Sequence, residues 1–364
     1  MVGLIVHEWI SEHGGAENVL DQLTQAFPDA DIKVLWNDAP GRFPEHDVTE
    51  SWIARTPLRG RKALALPLMS STWRNVDVRP YDYVVASSHL FAHHVGGAVG
   101  SGTPVFAYVH TPARMIWAPE QDPRGRGLLP RASAPALRRL DRRRVNQDAS
   151  FVANSNYIGE RIRASWGQEA KVIYPPVEAG QPSNIAALGP AESAIASALP
   201  REFILGASRF VEYKRLDLVI ETARLVGLPL VLAGDGPLYD DLESRASALD
   251  VRAVVVRNPT SELLDVLYRR AAVFVFPPVE DFGIMPIEAM SKGTPVVVNA
   301  VGGARESVEL TGGGAVSSSQ DPIALAQATK RALNIDMSSI PHRVLRLFSA
   351  ERFRQEVKEW VLSE

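Results

Sequence analysis

The sequence predicts an α/β protein built as two parallel-sheet domains, and three observations lead there. Short apolar or β-branched runs alternate with helical patterns, the rhythm of βαβ units whose sheet is covered on both faces. That rhythm occurs twice, once before residue 175 and again after residue 200. Between the two, Pro175-Pro176-Val-Glu-Ala-Gly-Gln-Pro-Ser-Asn and an Ala/Ser/Gly stretch suit a linker and a short helix rather than a core strand. A chain of 364 residues is long enough for two cores of ordinary size.

In order, the first half places strands at 2–6, 32–36, 83–86, 104–109 and 150–153, with helices near 16–26, 88–99, 133–147 and 156–166. The opening run Val-Gly-Leu-Ile-Val meets charge at Glu8, so it reads as a strand; it is too short and wrongly flanked for a signal peptide. The second half is more regular, with strands at 203–207, 229–233, 252–256, 273–276 and 295–298 and helices at 215–226, 238–248, 261–271, 285–291 and 321–334. Residues 350–362 place Phe353, Val357, Trp360 and Val361 at helical spacing, an amphipathic helix that must pack on something. The expected division is a first domain over 1–178, a linker over 179–200, a second domain over 201–346 and a terminal helix over 347–364.

Composition removes several classes of chemistry. The chain has no cysteine, so thiol catalysis, disulfides and cysteine-ligated metal or cluster sites are excluded. No apolar run approaches the ~20 residues that span a bilayer, and the expected location is cytoplasmic. The net charge of −3 hides a local bias: residues 123–144 hold eight arginines against the single Asp141. Such a segment is read as a solvated face, as a patch for anionic lipid heads on the inner face of the plasma membrane, or, least favoured, as a nucleic-acid surface. Seven of the eight histidines fall in the first half without HExxH spacing, so no metal site is expected.

Ligands in open parallel sheets bind outside the strands' carboxyl ends, so the strand-to-helix loops are where polar residues count. After 203–207, the loop Gly206-Ala-Ser-Arg209-Phe-Val-Glu-Tyr-Lys214-Arg215 brings two cations beside a helix start, where they read either as an anion site or as solvated surface. After 273–276 comes Pro277-Pro-Val-Glu280-Asp-Phe282-Gly283-Ile284-Met-Pro286-Ile-Glu288, with Glu280 in the loop and Glu288 expected in the first helical turn. These carboxylates suit sugar or ribose hydroxyls, a paired-carboxylate hydrolase, or ordinary loop and helix-start charges. In the first half, Gly14 and Gly15 open a helix without forming a GxGxxG fingerprint, and His110 stands at a strand's carboxyl end. Asp29-Ala-Asp31 matches DxD only formally, since it lies at the opposite edge of the sheet.

Taken together, these loops resemble the retaining glycosyltransferases of family GT4, over nearly the whole chain. The resemblance rests on Glu280 and Glu288 within Pro277-Pro-Val-Glu-Asp-Phe-Gly-Ile-Met-Pro-Ile-Glu-Ala-Met-Ser-Lys-Gly-Thr-Pro-Val-Val-Val-Asn-Ala-Val-Gly-Gly, on Ser208-Arg209 with Lys214-Arg215, and on Ala233-Gly-Asp-Gly-Pro237. It implies the GT-B fold: two Rossmann-like domains facing each other across a cleft, with the terminal helix crossing back to the first. It further implies that Arg209 and Lys214 hold the donor's diphosphate, Glu288 the ribose, and Glu280 with the amides of Phe282, Gly283 and Ile284 the sugar. By the same resemblance Arg257 and Asn258 receive the base, Gly14 and Gly15 approach the diphosphate, and His110 contacts the donor sugar.

The implied reaction moves a hexose from a nucleotide diphosphosugar to a glycan or lipid-linked glycan, with retained configuration and no metal or other cofactor. Tyr108-Val-His-Thr-Pro-Ala-Arg-Met-Ile-Trp117 is similar to segments of bacterial mannosyltransferases of surface polysaccharides, which favours GDP-mannose over UDP-sugars. A nucleotide-sugar epimerase or hydrolase of the same fold, and a catalytically silent nucleotide-sugar-binding subunit, are the rival readings.

Overall fold

The computed structural model describes residues 1–12, 14–97, 102–119, 128–177 and 188–363, with side chains from Ala132 onward in the segment that starts at 128. The chain divides into two compact units, Met1–Pro176 with Ala350–Glu364, and Val177–Ser349. His13, residues 123–127 of the arginine-rich segment, residue 178 and 179–187 of the expected linker lie outside the described residues.

The first unit is built on strands β1 (Gly3–Ile10), β2 (Asp31–Asn37), β3 (Val48–Glu50), β4 (Tyr83–Ser88), β5 (Val105–Val109), β6 (Ser150–Ala153) and β7 (Lys171–Val172). All pair in parallel, in the order β3-β2-β1-β4-β5-β6-β7. Its helices are α1 (Gly15–Ala26), α2 (Lys62–Arg74), α3 (Arg114–Trp117), α4 (Leu128–Arg144) and α5 (Asn156–Trp166). The second unit carries β8 (Ile204–Ala207), β9 (Leu230–Gly234), β10 (Ala253–Arg257), β11 (Val273–Phe276), β12 (Val296–Asn299) and β13 (Gly314–Ser317), again all parallel, in the order β10-β9-β8-β11-β12-β13. Helices α6 (Pro190–Ala198), α7 (Leu216–Val226), α8 (Tyr239–Ser247), α9 (Ser261–Arg270), α10 (Ile284–Ser291), α11 (Ala304–Thr311), α12 (Pro322–Ala332) and α13 (Ile340–Phe348) accompany it.

In both sheets the chain winds outward on one side of the first strand and then returns to continue on the other. The reversal falls between β1 and β4 in the first unit and between β8 and β11 in the second. Helices leave these neighbouring strands on opposite faces, which opens a crevice at the carboxyl ends, the usual ligand position in such sheets.

The first sheet is buried on both faces. One face packs Trp36, Trp73, Phe91 and Ile158, and the other packs Val19, Leu20 and Leu23 of α1. Helix α14 (Ala350–Leu362) covers this second face, as expected for a helix returning to the first domain. Phe353, Val357, Trp360 and Val361 are all buried there, and the Trp360 Nε1–H donates to Ser150 Oγ at 2.9 Å.

Several expectations need correction. Where a helix is expected over 88–99, the described residues 89–97 form a loop with one 3-10 turn, Ala92–His94. Glu8, wholly buried, accepts the amides of Leu90, Phe91 and Ala92 at 2.9 Å each, which holds the backbone in a tight turn instead of a helix. The short helix expected within the linker stretch is present as α6, and Thr260 donates to its Glu192 at 2.8 Å. Elements β3, α2, α3, β7, α11, β13 and α13 have no counterpart among the predicted elements; α2 carries Pro67 internally, and β3 and β7 are only three and two residues long.

Candidate functional site

At the β8/β11 reversal the two loops singled out from sequence lie side by side. Lys214 closes a 3-10 turn, Glu212–Lys214, and its Nζ donates to Glu280 Oε1 at 2.5 Å. The side chains of this pair are only 12% and 16% exposed, so water screens it weakly. The ammonium also lies 5.8 Å from the centre of the Phe276 ring at the end of β11. Arg209 is exposed on the same loop, and its Nη2 donates to Tyr213 Oη at 2.5 Å. Arg215 sits in the left-handed region at φ 53° as the residue before α7, and Asp217 pairs with its guanidinium.

The Glu280 loop is braced by backbone. The Gly303 amide donates to the Glu280 carbonyl at 2.8 Å. A Cβ on Gly303 would fall 2.1 Å from the Asp281 carbonyl oxygen, so only glycine allows this approach. Phe282 turns its ring inward against Phe348, 5.8 Å between centroids, which leaves the 282–284 backbone at the start of α10. Gly283, at φ 87°, is the residue that turns the chain into that helix. Ile284 is its first residue.

Glu288 differs from expectation. It lies in the second turn of α10 rather than the first, and Tyr268 Oη of α9 donates to it at 3.3 Å. Burial, reinforced by the Glu288 charge, pushes the Tyr268 phenol well above its ordinary pKa, so it remains a donor at any physiological pH.

The Gly234-Asp235-Gly236 turn packs directly on the Arg209 loop. Phe210 N–H donates to the Asp235 carbonyl at 2.7 Å, and a Cβ on Gly234 would overlap the Ser208 carbonyl oxygen at 1.9 Å. Arg257 ends β10, pairs with Asp235 at 3.2 Å and lies 4.5 Å over the Tyr239 ring. Asn258 follows at φ 46°, its amide donating to the Gly234 carbonyl at 3.0 Å. Of the sequence-selected residues, Arg209, Lys214, Arg257, Asn258, Glu280, Phe282, Gly283, Ile284 and Glu288 therefore all belong to the second unit, in or just beyond the loops and strand ends of its carboxyl edge.

Gly14, Gly15 and His110 occupy the carboxyl edge of the first unit's sheet. Gly14 precedes α1 and Gly15 is its first residue. The His110 ring nitrogen Nε2 lies 2.8 Å from Ser87 Oγ, which in turn lies 3.0 Å from His7 Nδ1. Burial, then the neighbouring His89 and His7, holds His110 well below the ordinary histidine pKa, so its imidazole is neutral at pH 7. Sequence reasoning missed Ser87 and His7, since a serine and a histidine 80 residues apart have no local signature.

Of the five described arginine side chains in the arginine-rich segment, three have internal partners. Arg138 donates to the Ile116 carbonyl at 2.8 Å, Arg142 to the Ser165 carbonyl at 2.7 Å, and Arg144 to Ser70 and Ser71 hydroxyls at 3.0 and 2.9 Å. Arg139 and Arg143 are exposed.

Residues 192–344 match the family described as "Glycosyl transferases group 1", and residues 13–181 match "Glycosyltransferase Family 4". An uncharacterised glycosyltransferase of Methanocaldococcus jannaschii is 40% identical over 140 residues, 36% of each chain. A GDP-mannose-dependent alpha-(1-6)-phosphatidylinositol monomannoside mannosyltransferase of Mycolicibacterium smegmatis is 30% identical over 186 residues, 46% of this chain and 48% of that one. The chain thus spans about a third to a half of these curated relatives. Among solved structures, Anabaena HepE in complex with UDP and glucose superposes with a TM-score of 0.70 at 20% identity, covering 100% of both chains. Two parallel-sheet units of this topology define the GT-B fold. Within that fold the chain belongs to glycosyltransferase family GT4.

Proposed function

We propose that the protein is a retaining, metal-independent glycosyltransferase that moves a hexose, mannose from GDP-mannose, to a glycan or lipid-linked glycan hydroxyl. The observation carrying this reading is the Lys214–Glu280 pair, 2.5 Å apart where the sheet order of the second unit reverses, with Arg209 on the same loop. An ammonium has three N–H donors, so Lys214 can keep Glu280 and still reach a phosphate oxygen. Arg209 and Lys214 hold the diphosphate and oppose the charge that grows on it as the glycosidic bond breaks. Glu280 and the 282–284 amides take sugar hydroxyls, Glu288 takes the ribose, and the backbone at Arg257 and Asn258 takes the base. The acceptor hydroxyl attacks on the face the nucleotide leaves, and a departing phosphate oxygen receives its proton, so no protein base is required.

Neutral His110 suits a hydrogen bond to a sugar hydroxyl better than a proton transfer at pH 7, and Gly14 and Gly15 offer backbone amides to the phosphates. GDP-mannose is favoured by the mannosyltransferase similarity; the Anabaena protein's UDP keeps UDP-sugars as the second reading. A thermal-shift panel of GDP- and UDP-sugars tests the assignment. At 100 times the dissociation constant the matching donor stabilises by about 2.7 kcal/mol. GDP-mannose is expected to give the largest shift, and a larger response to a UDP-sugar transfers the assignment to that donor. Donor turnover as rapid without acceptor as with it would favour the hydrolase or epimerase reading.

Among the described arginine side chains of α4, Arg138, Arg142 and Arg144 have internal partners, so peripheral contact with anionic lipid is assigned to Arg139 and Arg143. The Arg139→Ser/Arg143→Ser double variant is expected to lose retention on acidic vesicles at low salt while keeping its melting temperature. Equal retention of wild type and variant assigns both arginines to ordinary surface.

A further inference from the structure

The carboxyl edge of the first sheet holds a cluster that donor binding does not account for. His7 and Glu8 are consecutive on β1, and His89 directly follows β4, the strand beside it at the reversal. One candidate ligand atom from each lies within 4.8 Å of the other two. His7 Nε2 is fully buried and has no hydrogen-bond partner among the described residues. His89 Nδ1 is likewise without a hydrogen bond; it faces Glu8 Oε2 at 3.3 Å, close enough for an ion contact but poorly aligned for a proton. Two buried imidazole nitrogens without hydrogen bonds, in a cluster whose third member is a buried carboxylate, make an unusual arrangement for simple packing.

We propose that His7, Glu8 and His89 form a binding site for a tetrahedral divalent cation of the zinc class. Two imidazoles and a carboxylate are a zinc donor set, and ligands about 2.0–2.1 Å from a tetrahedral ion lie about 3.3 Å from one another. The His89–Glu8 separation is already that edge. The outer contacts fit as well. Ser87 Oγ holds His7 Nδ1 at 3.0 Å, leaving Nε2 as the metal-facing nitrogen. Three amides at 2.9 Å fix Glu8 Oε1, while Oε2 accepts the His89 amide at 3.2 Å and faces the His89 ring, a second lone pair remaining on it. The His89 side chain is 21% exposed, which provides an entry route and room for a fourth ligand from solvent.

The other histidine–carboxylate cluster, His93, His94 and Asp141, has none of this spare valence. Both imidazole Nε2 atoms already bond to Asp141 Oδ1, and its Oδ2 accepts two indole N–H groups. The proposed site lies in the first unit and is separate from the cations assigned to the donor diphosphate. Its failure would leave the donor assignment untouched.

The test titrates the full chain, stripped with chelator and free of nucleotide, with Co²⁺ and then Zn²⁺. One equivalent of Co²⁺ is expected to give the visible absorption of a tetrahedral site, and Zn²⁺ to abolish it. His89→Ala should weaken binding at least tenfold with an unchanged circular dichroism spectrum, whereas His342→Ala, on the exposed face of α13, should not. In wild type, ¹⁵N-histidine spectra should show two rings shifting together at one equivalent of Zn²⁺, a readout that needs no variant. Absence of stoichiometric binding, or binding unchanged by His89→Ala, overturns the proposal.

Discussion

Lys214→Ala is expected to lower kcat/KM for the nucleotide-sugar donor about 10²–10³-fold, the usual cost of deleting one group that faces charge developing in a transition state. The loss should fall chiefly on kcat, because the diphosphate carries more charge when the glycosidic bond has broken than in the bound donor. Two causes have to be separated. Removing the ammonium also leaves Glu280, 16% exposed, without its ion-pair partner, and this alone would destabilise the loop. Lys214→Ala/Glu280→Gln removes both charges and restores neutrality. Glu280→Gln alone is the reference, since Glu280 is itself assigned to the sugar: if the lysine's role were only to hold Glu280 in place, the double variant would match Glu280→Gln in activity. If Lys214 faces phosphate, melting temperature recovers and kcat stays well below that of Glu280→Gln. A Lys214→Ala enzyme within twofold of wild type removes the residue from the site.

The parts of this site legible in the sequence are those fixed by local backbone. Gly234 and Gly236, Gly283, and the Gly302-Gly303 pair stand where carbonyl oxygens or positive φ exclude any Cβ, so the motif spacing follows from the backbone directly. The same holds for the central strands: Val273–Phe276 and Val296–Asn299 are wholly buried and read as apolar runs, broken only by Asn299 at the end of the second. What could not be read depends on long-range pairing. The pairing of Lys214 with Glu280 joins residues 66 apart. The loss of the expected helix after β4 is decided by Glu8, more than 80 residues earlier, whose carboxylate competes for the amides a helix would use. The edge strands β3 and β7 are too short to carry a period, and α13 and β13 follow the motif-bearing region without a distinctive signal of their own.

The single acidic residue in the arginine-rich helix shows the same limit, and it supports the largest stability prediction. From sequence, Asp141 looks like relief from a run of positive charge; in the fold it is fully buried and accepts four hydrogen bonds. His93 and His94 donate through Nε2 to Oδ1 at 3.1 and 2.8 Å, while Trp117 and Trp166 donate through Nε1 to Oδ2 at 2.6 and 2.9 Å. These bonds tie α4 to the turn after β4, to α3 and to α5. Despite its burial, the carboxyl is held well below its ordinary pKa by the hydrogen bonds and charge of the two histidines. Asp141→Asn keeps the volume but replaces one acceptor oxygen with an NH₂. With the NH₂ toward the indoles, two N–H donors face a donor; with it toward the histidines, both rings must change tautomer and the charge that all four donors face is still lost, so the variant should lose about 3–5 kcal/mol. For a domain of this size that is a fall of about 6–20 °C in melting temperature. Acid should act on the same hub in wild type. Burial, then His93, lowers the His94 pKa to about 4 from 6.5, with Asp141 opposing the shift. Below pH 6.5 the unfolded chain therefore takes up a proton that the folded chain refuses, and stability declines as pH falls from 6.5 toward 4, by up to about 1.4 kcal/mol for each unit between the two pKa values. Urea unfolding of the first unit at pH 7 and pH 4.5 measures both effects. A cost below about 1 kcal/mol for Asp141→Asn, well under the range for breaking a buried charged network, would show that the four bonds do not hold α4 in place.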